Sequence, residues 1–112
     1  VKGEITIEVD GSGDVDLSVK AEKVFAELEG SGDINLSGTT STLKLSLDGS
    51  GDIKTYKLEA LQAEVELDGS GDIKVYASKT LKATLDGAGD IRYRGEPSLE
   101  AKIDGAGTIA AD

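Results

Sequence analysis

The chain has 112 residues and a mass of 11.5 kDa, the size of one domain, and its 12 basic and 22 acidic residues give a formal charge of -10 and a pI near 4.4. It has no Cys, His, Met or Trp, which excludes Ser-His-Asp and Cys-His catalysis, the usual zinc and haem ligands and thiol redox chemistry. An acidic chain with one Phe and three Tyr lacks the basic face and stacking rings that nucleic acid needs, and its apolar runs are too short to cross a bilayer. Neither nucleic acid nor membrane insertion is expected, and no cofactor.

An internal repeat organises everything else. Gly-Ser/Ala-Gly-Asp begins at Gly11, Gly30, Gly49, Gly69 and Gly87, and a variant ending in Thr begins at Gly105, at spacings of 19, 19, 20, 18 and 18 residues. The second glycines of these corners are Gly13, Gly32, Gly51, Gly71, Gly89 and Gly107. An acid precedes every copy (Asp10, Glu29, Asp48, Asp68, Asp86, Asp104), and Val15, Ile34, Ile53, Ile73, Ile91 and Ile109 follow. The repeat fills residues 1–112 as one domain.

In chain order, the opening segment Glu4-Ile5-Thr6-Ile7-Glu8-Val9 alternates polar and apolar residues, the signature of a strand with one buried face. Ser18 to Glu29 has some helical periodicity, but its alignment with the other units makes it strand. The third unit shows the pattern best: Leu43-Lys44-Leu45-Ser46-Leu47 leads into the glycine corner and Ile53-Lys54-Thr55 leaves it. Three apolar columns recur: Val9, Leu28, Leu47, Leu67, Leu85 and Ile103; Val24, Leu43, Ala63, Leu81 and Leu99; and Ala26, Leu45, Val65, Ala83 and Ala101. Glycine pairs at this spacing would break any long helix. The predicted fold is all-β: a single-stranded parallel β-helix, or solenoid, of about six coils of 18–20 residues. Each coil is expected to hold two short strands and two turns. Stacked at ~4.8 Å per rung, six coils make a rod roughly 29 Å long. Parallel crossovers are overwhelmingly right-handed, so a right-handed winding is expected.

The unit lengths differ in one arc only, between Leu17 and Val24 and its equivalents, while the arc around the glycines is constant. One corner is therefore constrained and the opposite loop is free, with Gly38 and Pro97 placed there as turn residues. Tyr56, Tyr76 and Tyr93 lie near this loop and are expected to pack at an edge rather than form a sugar platform. Thr39-Thr40-Ser41-Thr42 is a polar turn that does not recur, so it is no ice-binding array.

The glycine corner has a structural explanation. A tight bend needs a residue with positive φ, and the flanking carboxylates can cap free N–H groups of the bend. Asp14, Asp33, Asp52, Asp72 and Asp90 would stack as a ladder, with the preceding acids as a second ladder beside it. These five aspartates are the candidate calcium ligands, although no metal is expected. The repeat-in-toxin calcium pattern has one more residue between Gly and Asp than Gly51-Asp52-Ile53, and two glycine turns per coil rather than one. Lys54, Lys74 and Arg92 sit two residues after their aspartates, where Asp16 and Asn35 stand in earlier units, so charge compensation is uneven. No carboxylate pair is set in the apolar pocket that acid-base catalysis requires.

Repeated Leu-Asp-Gly-Ser-Gly-Asp-Ile, closing with Ile91-Arg92-Tyr93-Arg94-Gly95-Glu96-Pro97-Ser98-Leu99 and Ile103-Asp104-Gly105-Ala106-Gly107-Thr108-Ile109, resembles the Gly-rich C-terminal coils of the bacterial head-GIN domain family, described as a putative auto-transporter adhesin and formerly as a domain of unknown function. The resemblance implies a β-helical fold and an extracellular, cell-surface or periplasmic setting. It carries over no catalytic or binding residue. The irregular N-terminal half usual in the family is not seen before Val1-Lys2-Gly3-Glu4-Ile5, so a partial, processed or engineered form is expected. The function expected is a non-catalytic, adhesin-like binding module for a protein or glycan. The alternative is a structural subunit that self-associates through its open end coils into dimers or fibres.

Overall fold

The computed structural model describes residues 3–95 and 98–111, and every regular element in them is a strand. These are β1 (Glu4–Gly11), β2 (Asp14–Gly30), β3 (Asp33–Gly49), β4 (Asp52–Gly69), β5 (Asp72–Gly87), β6 (Asp90–Arg94), β7 (Ser98–Gly105) and β8 (Thr108–Ala111). Every pairing is parallel, each strand lying on its counterpart one repeat earlier. The result is a parallel β-solenoid of about six turns. Strands β2 to β5 are whole coils; β6 and β7 share the next, both pairing with β5, and β8 continues on β6.

The three apolar columns form residue for residue. Val9 pairs with Leu28, then Leu47, Leu67, Leu85 and Ile103, and the other two columns run in the same register. A parallel stack with one repeat per coil puts like residues over like. Alternation within each strand then sends whole columns inward together. With Ile34, Ile53, Ile73 and Ile91 from the far side of the corner they fill one continuous core. Among the described residues the buried polar side chains are Thr40 and Thr55. The Thr55 hydroxyl donates to the Lys74 carbonyl at 2.7 Å, so this buried group is satisfied.

Two expectations need correction. Each coil was expected to hold two strands, yet one strand of 16–18 residues runs through the whole coil in β2 to β5. The second bend is made inside the ladder. Glu22, Ser41, Leu61, Ser78 and Lys79 drop out of pairing there, and Thr40 Oγ1 lies 3.2 Å from the Glu22 carbonyl and 3.1 Å from that of Thr42. Gly38, at φ 122°, bends β3 without leaving it; Pro97 lies outside the described residues. The expected rod is instead a slab of 37 × 32 × 18 Å, because six rungs add up to about the width of one coil.

The two glycines of each corner serve different ends. Gly49 has φ 124°, a region that side-chain-bearing residues rarely adopt. Gly51 has no such φ, but a Cβ there would overlap the Gly32 carbonyl oxygen of the coil before and lie 2.5 Å from Leu28 Cδ2. The repeat therefore fixes the second glycine by packing alone and the first by conformation as well as packing, since a Cβ on Gly49 would also overlap the Gly30 carbonyl oxygen. The corner N–H groups find acceptors one coil earlier, not in the flanking carboxylates: Ser50 donates to Gly30 O at 3.0 Å and Asp52 to Gly32 O at 3.1 Å. This replaces the expected capping by Asp side chains, because the stacked glycines bring two backbones close enough to bond directly.

The ends of the stack differ. In β1, Ile7 and Val9 are 8% and 9% exposed, whereas in β7 Leu99 and Ile103 are 42% and 46% exposed and no residue is buried. Column leucines lean forward, Leu28 toward Gly51, Leu47 toward Gly71 and Leu67 toward Gly89, so a first rung is covered and a last one is bare.

Gly51→Ala is expected to lower stability by about 3 kcal/mol through overpacking. Gly13→Ala, whose new Cβ would meet only Val9 Cγ1 at 3.9 Å, should cost well under 1 kcal/mol by the same scale. Urea unfolding of the two variants checks this; equal losses would contradict the packing account.

Candidate functional site

The closed core leaves the outer surface as the place for chemistry. Two rows of acids flank the glycine corner. Asp14, Asp33, Asp52, Asp72 and Asp90 stack in one row, and Asp10, Glu29, Asp48, Asp68, Asp86 and Asp104 in the other. The structure thus assembles the five candidate calcium ligands as a row, one per coil, rather than a cage. Among the described residues no three acids converge in the way that holding a metal ion requires. The glycine corners sit between the rows as backbone geometry, with no ligand-binding group of their own.

Glu29 shows what stacking acids costs. Its carboxyl is held above its ordinary value chiefly by the charge of Glu27, then by Asp10, with slight desolvation, a hydrogen bond with Glu27 and the charge of Asp48 adding to it. Like charges on adjacent rungs and on one strand face favour protonation.

The wall that follows the corner has the opposite character. Asp16, Asn35, Lys54, Lys74 and Arg92 form its outward row in register, so the change from acid to base seen along the sequence becomes a gradient along the stack. Beside this row β4 is irregular. Thr55 pairs with Val75 but Glu59 pairs with Tyr76, so Tyr56, Lys57 and Leu58 have no counterpart in β5. Leu58 is fully buried and anchors this bulge, while Tyr56 is half-buried with its hydroxyl covered and Lys57 is exposed. The Tyr56 ring gathers two cations. Arg94 Cζ is 4.4 Å and Lys74 Nζ 5.9 Å from its centroid, within the range of attraction by an aromatic face. A groove of about 430 Å³ opens here, lined among others by Asp16, Asn35, Lys54, Tyr56, Lys57 and Lys74. The three tyrosines do not form one edge row: Tyr93 continues the inward column of Val75, Tyr76 pairs with Arg94, and Tyr56 belongs to the bulge.

Lys57 and Arg94 were not singled out from the sequence. The available signal was the long fourth unit, with seven residues between Thr55 and Ala63, which announces an insertion without saying where it bulges. A larger hollow of about 650 Å³ lies at the second bend, between Lys20, Glu22, Thr39, Ser41, Glu59 and Leu61. Its charges are of both signs, and Leu61 is half exposed in it.

A parallel β-solenoid with an aliphatic interior and, among the described residues, no buried charged side chain defines the class: a repeat scaffold whose side walls are its outer surface. The chain belongs to the head GIN domain family, described as putative auto-transporter adhesins, whose model matches residues 1–97. Among solved structures it is similar to a putative adhesin from Bacteroides fragilis, with 31% identity and a TM-score of 0.91 over 99% of this chain and 53% of that one. A putative adhesin from Parabacteroides distasonis is also similar, with 27% identity and a TM-score of 0.83 over 99% of this chain and 56% of that one. The chain therefore spans about half the length of these proteins. No curated protein matches the sequence.

A raised carboxyl pKa in the folded state means that the proton favours folding. The stabilising contribution of Glu29 is full below its ordinary value of 4.5 and is lost as pH rises through the raised value. Melting temperature is thus expected to rise as pH falls through the raised value toward 4.5, and Glu29→Gln should raise it at pH 7 and flatten that rise. Thermal melts at several pH values, in low salt, read both effects.

Proposed function

We propose that this chain is a non-catalytic adhesion module that works outside the bacterial cell or in its envelope, binding a partner on a solenoid wall. Membership of a family of putative adhesins supports the setting. The observation that carries the non-catalytic part is the core: among the described residues every buried side chain is apolar except Thr40 and Thr55, so the scaffold encloses no place for reaction chemistry. What remains for function is the outside, where two walls of different charge are held rigid by the ladder. Displayed on an inert bacterial surface, the chain should raise attachment to glycan- or protein-coated supports several-fold over a core-disrupted Leu47→Lys display. No gain on any coating would sink the adhesion reading.

One observation favours a second role, self-association. The bare β7 rung presents Leu99, Ala101 and Ile103 in the register that Ile5, Ile7 and Val9 occupy in β1, so a second copy could continue the columns head to tail. Sedimentation velocity over a concentration series should then show larger species that Ile103→Lys abolishes and that a calcium chelator leaves unchanged. A monomer at every concentration would remove this role.

A further inference from the structure

We propose that the bulged wall is a binding site for an anionic polysaccharide of the uronate class, with Lys54, Lys57 and Lys74 lining its groove and Arg92 and Arg94 extending it. The inference rests on the adhesion reading for its biological setting, but its physical basis is separate.

Five of the chain's 12 basic residues stand on this one patch of a protein with net charge -10. The abundant carboxylates leave Lys54, Lys57, Lys74 and Arg92 unneutralised. Among the described residues no carboxylate lies within ion-pairing distance of Lys54, Lys57, Lys74 or Arg92, while Lys23 pairs with Glu4 at 3.7 Å elsewhere. Cations stacked on successive rungs repel one another, and the structure adds devices that bring them together. The Tyr56 ring attracts both Lys74 and Arg94. The bulge that carries it, pinned by buried Leu58, places Lys57 beside the groove. Bulges of this kind re-aim side chains at working surfaces.

The neighbours of the cations select among anions. Asp16, Asp52, Asp72 and Asp90 flank the basic row, Asp16 and Asn35 continuing it and Asp52, Asp72 and Asp90 standing two residues before Lys54, Lys74 and Arg92. A phosphate backbone would offer these aspartates no hydrogen, so nothing in it would offset their repulsion. A polyuronate carries one carboxylate per ring, set among hydroxyls. Its carboxylates suit lysines repeated at ~4.8 Å, and its hydroxyls can donate to aspartate and share hydrogen bonds with the Asn35 amide. Stacking of bases is also unsupported here, since the Tyr56 ring is taken up by Lys74 and Arg94.

The test is binding of fluorescently labelled oligogalacturonate to the intact chain, followed by anisotropy at low salt. Saturable binding is expected, weakening as sodium chloride is added and absent with neutral dextran. The double variant Lys54→Gln/Lys74→Gln should bind about tenfold more weakly, while Lys44→Gln/Lys82→Gln on the other wall should bind as the parent does. Circular dichroism confirms the fold of each, all four positions being at the surface. No binding at low salt, or an equal loss in both double variants, would overturn the site. Equally tight binding of a single-stranded DNA oligomer would overturn the uronate assignment. Uronate binding without attachment in the display assay would leave this site standing and remove the adhesion reading. Attachment unaffected by Lys54→Gln/Lys74→Gln, with no uronate binding, would do the reverse.

Discussion

Everything in this molecule depends on how closely one coil can lie on the next at the glycine corner. There the Ser or Ala and Asp N–H groups bond to glycine carbonyls of the coil before, at 2.9–3.3 Å, with no side chain between the two backbones. That contact sets the rung spacing, and the rung spacing in turn sets the register of every column. A leucine from the preceding arc fills the remaining space beneath the second glycine, so backbone bonding and core packing meet at a single residue. This accounts for a corner that tolerates Ser or Ala between its glycines but keeps both glycines in all six copies.

Close stacking has an electrostatic cost. Whatever occupies a position in one coil is brought near its equivalents, so a repeat that places an acid beside each glycine builds two acid rows. The elevated proton affinity of Glu29 is a local sign of that crowding. The same rule works in reverse on the wall after the corner, where replacing Asp16 and Asn35 by Lys54, Lys74 and Arg92 in later coils converts one row from acidic to basic. In such a scaffold a surface is drawn one rung at a time, and a few substitutions at one repeat position make a patch.

The fold was legible because the repeat marks its own register. Val9, Leu28, Leu47 and their successors could be aligned by eye from the glycines, and the ladder pairs them as aligned. The acid rows followed from the same alignment. What the sequence left hidden is where regularity fails. Unit length located extra residues between Thr55 and Ala63, but the bulge at Tyr56, Lys57 and Leu58 depends on Leu58 reaching the core, a choice among near-equivalent registers made by packing. The second bend was hidden for a related reason: backbone pairing carries on through Gly38, which a reading of turn residues takes as a break. The basic groove was missed because Arg94 meets Tyr56 across two coils, a distance of 38 residues along the chain.

The forward lean of the column leucines gives the stack a direction. Each rung covers itself poorly and is roofed by the rung that follows, so a growing solenoid always ends in an apolar surface and a row of open backbone groups shaped for the next repeat. A polypeptide emerges from the ribosome, or from an export channel that passes it amino end first, in that same order. Once the first few coils have stacked, the next repeat has a template to pair with, and closing each coil requires a loop of only about 19 residues whatever the final length of the protein. Vectorial delivery and structural polarity coincide, so such a chain can be extended by duplication of its repeat with no added burden on its folding.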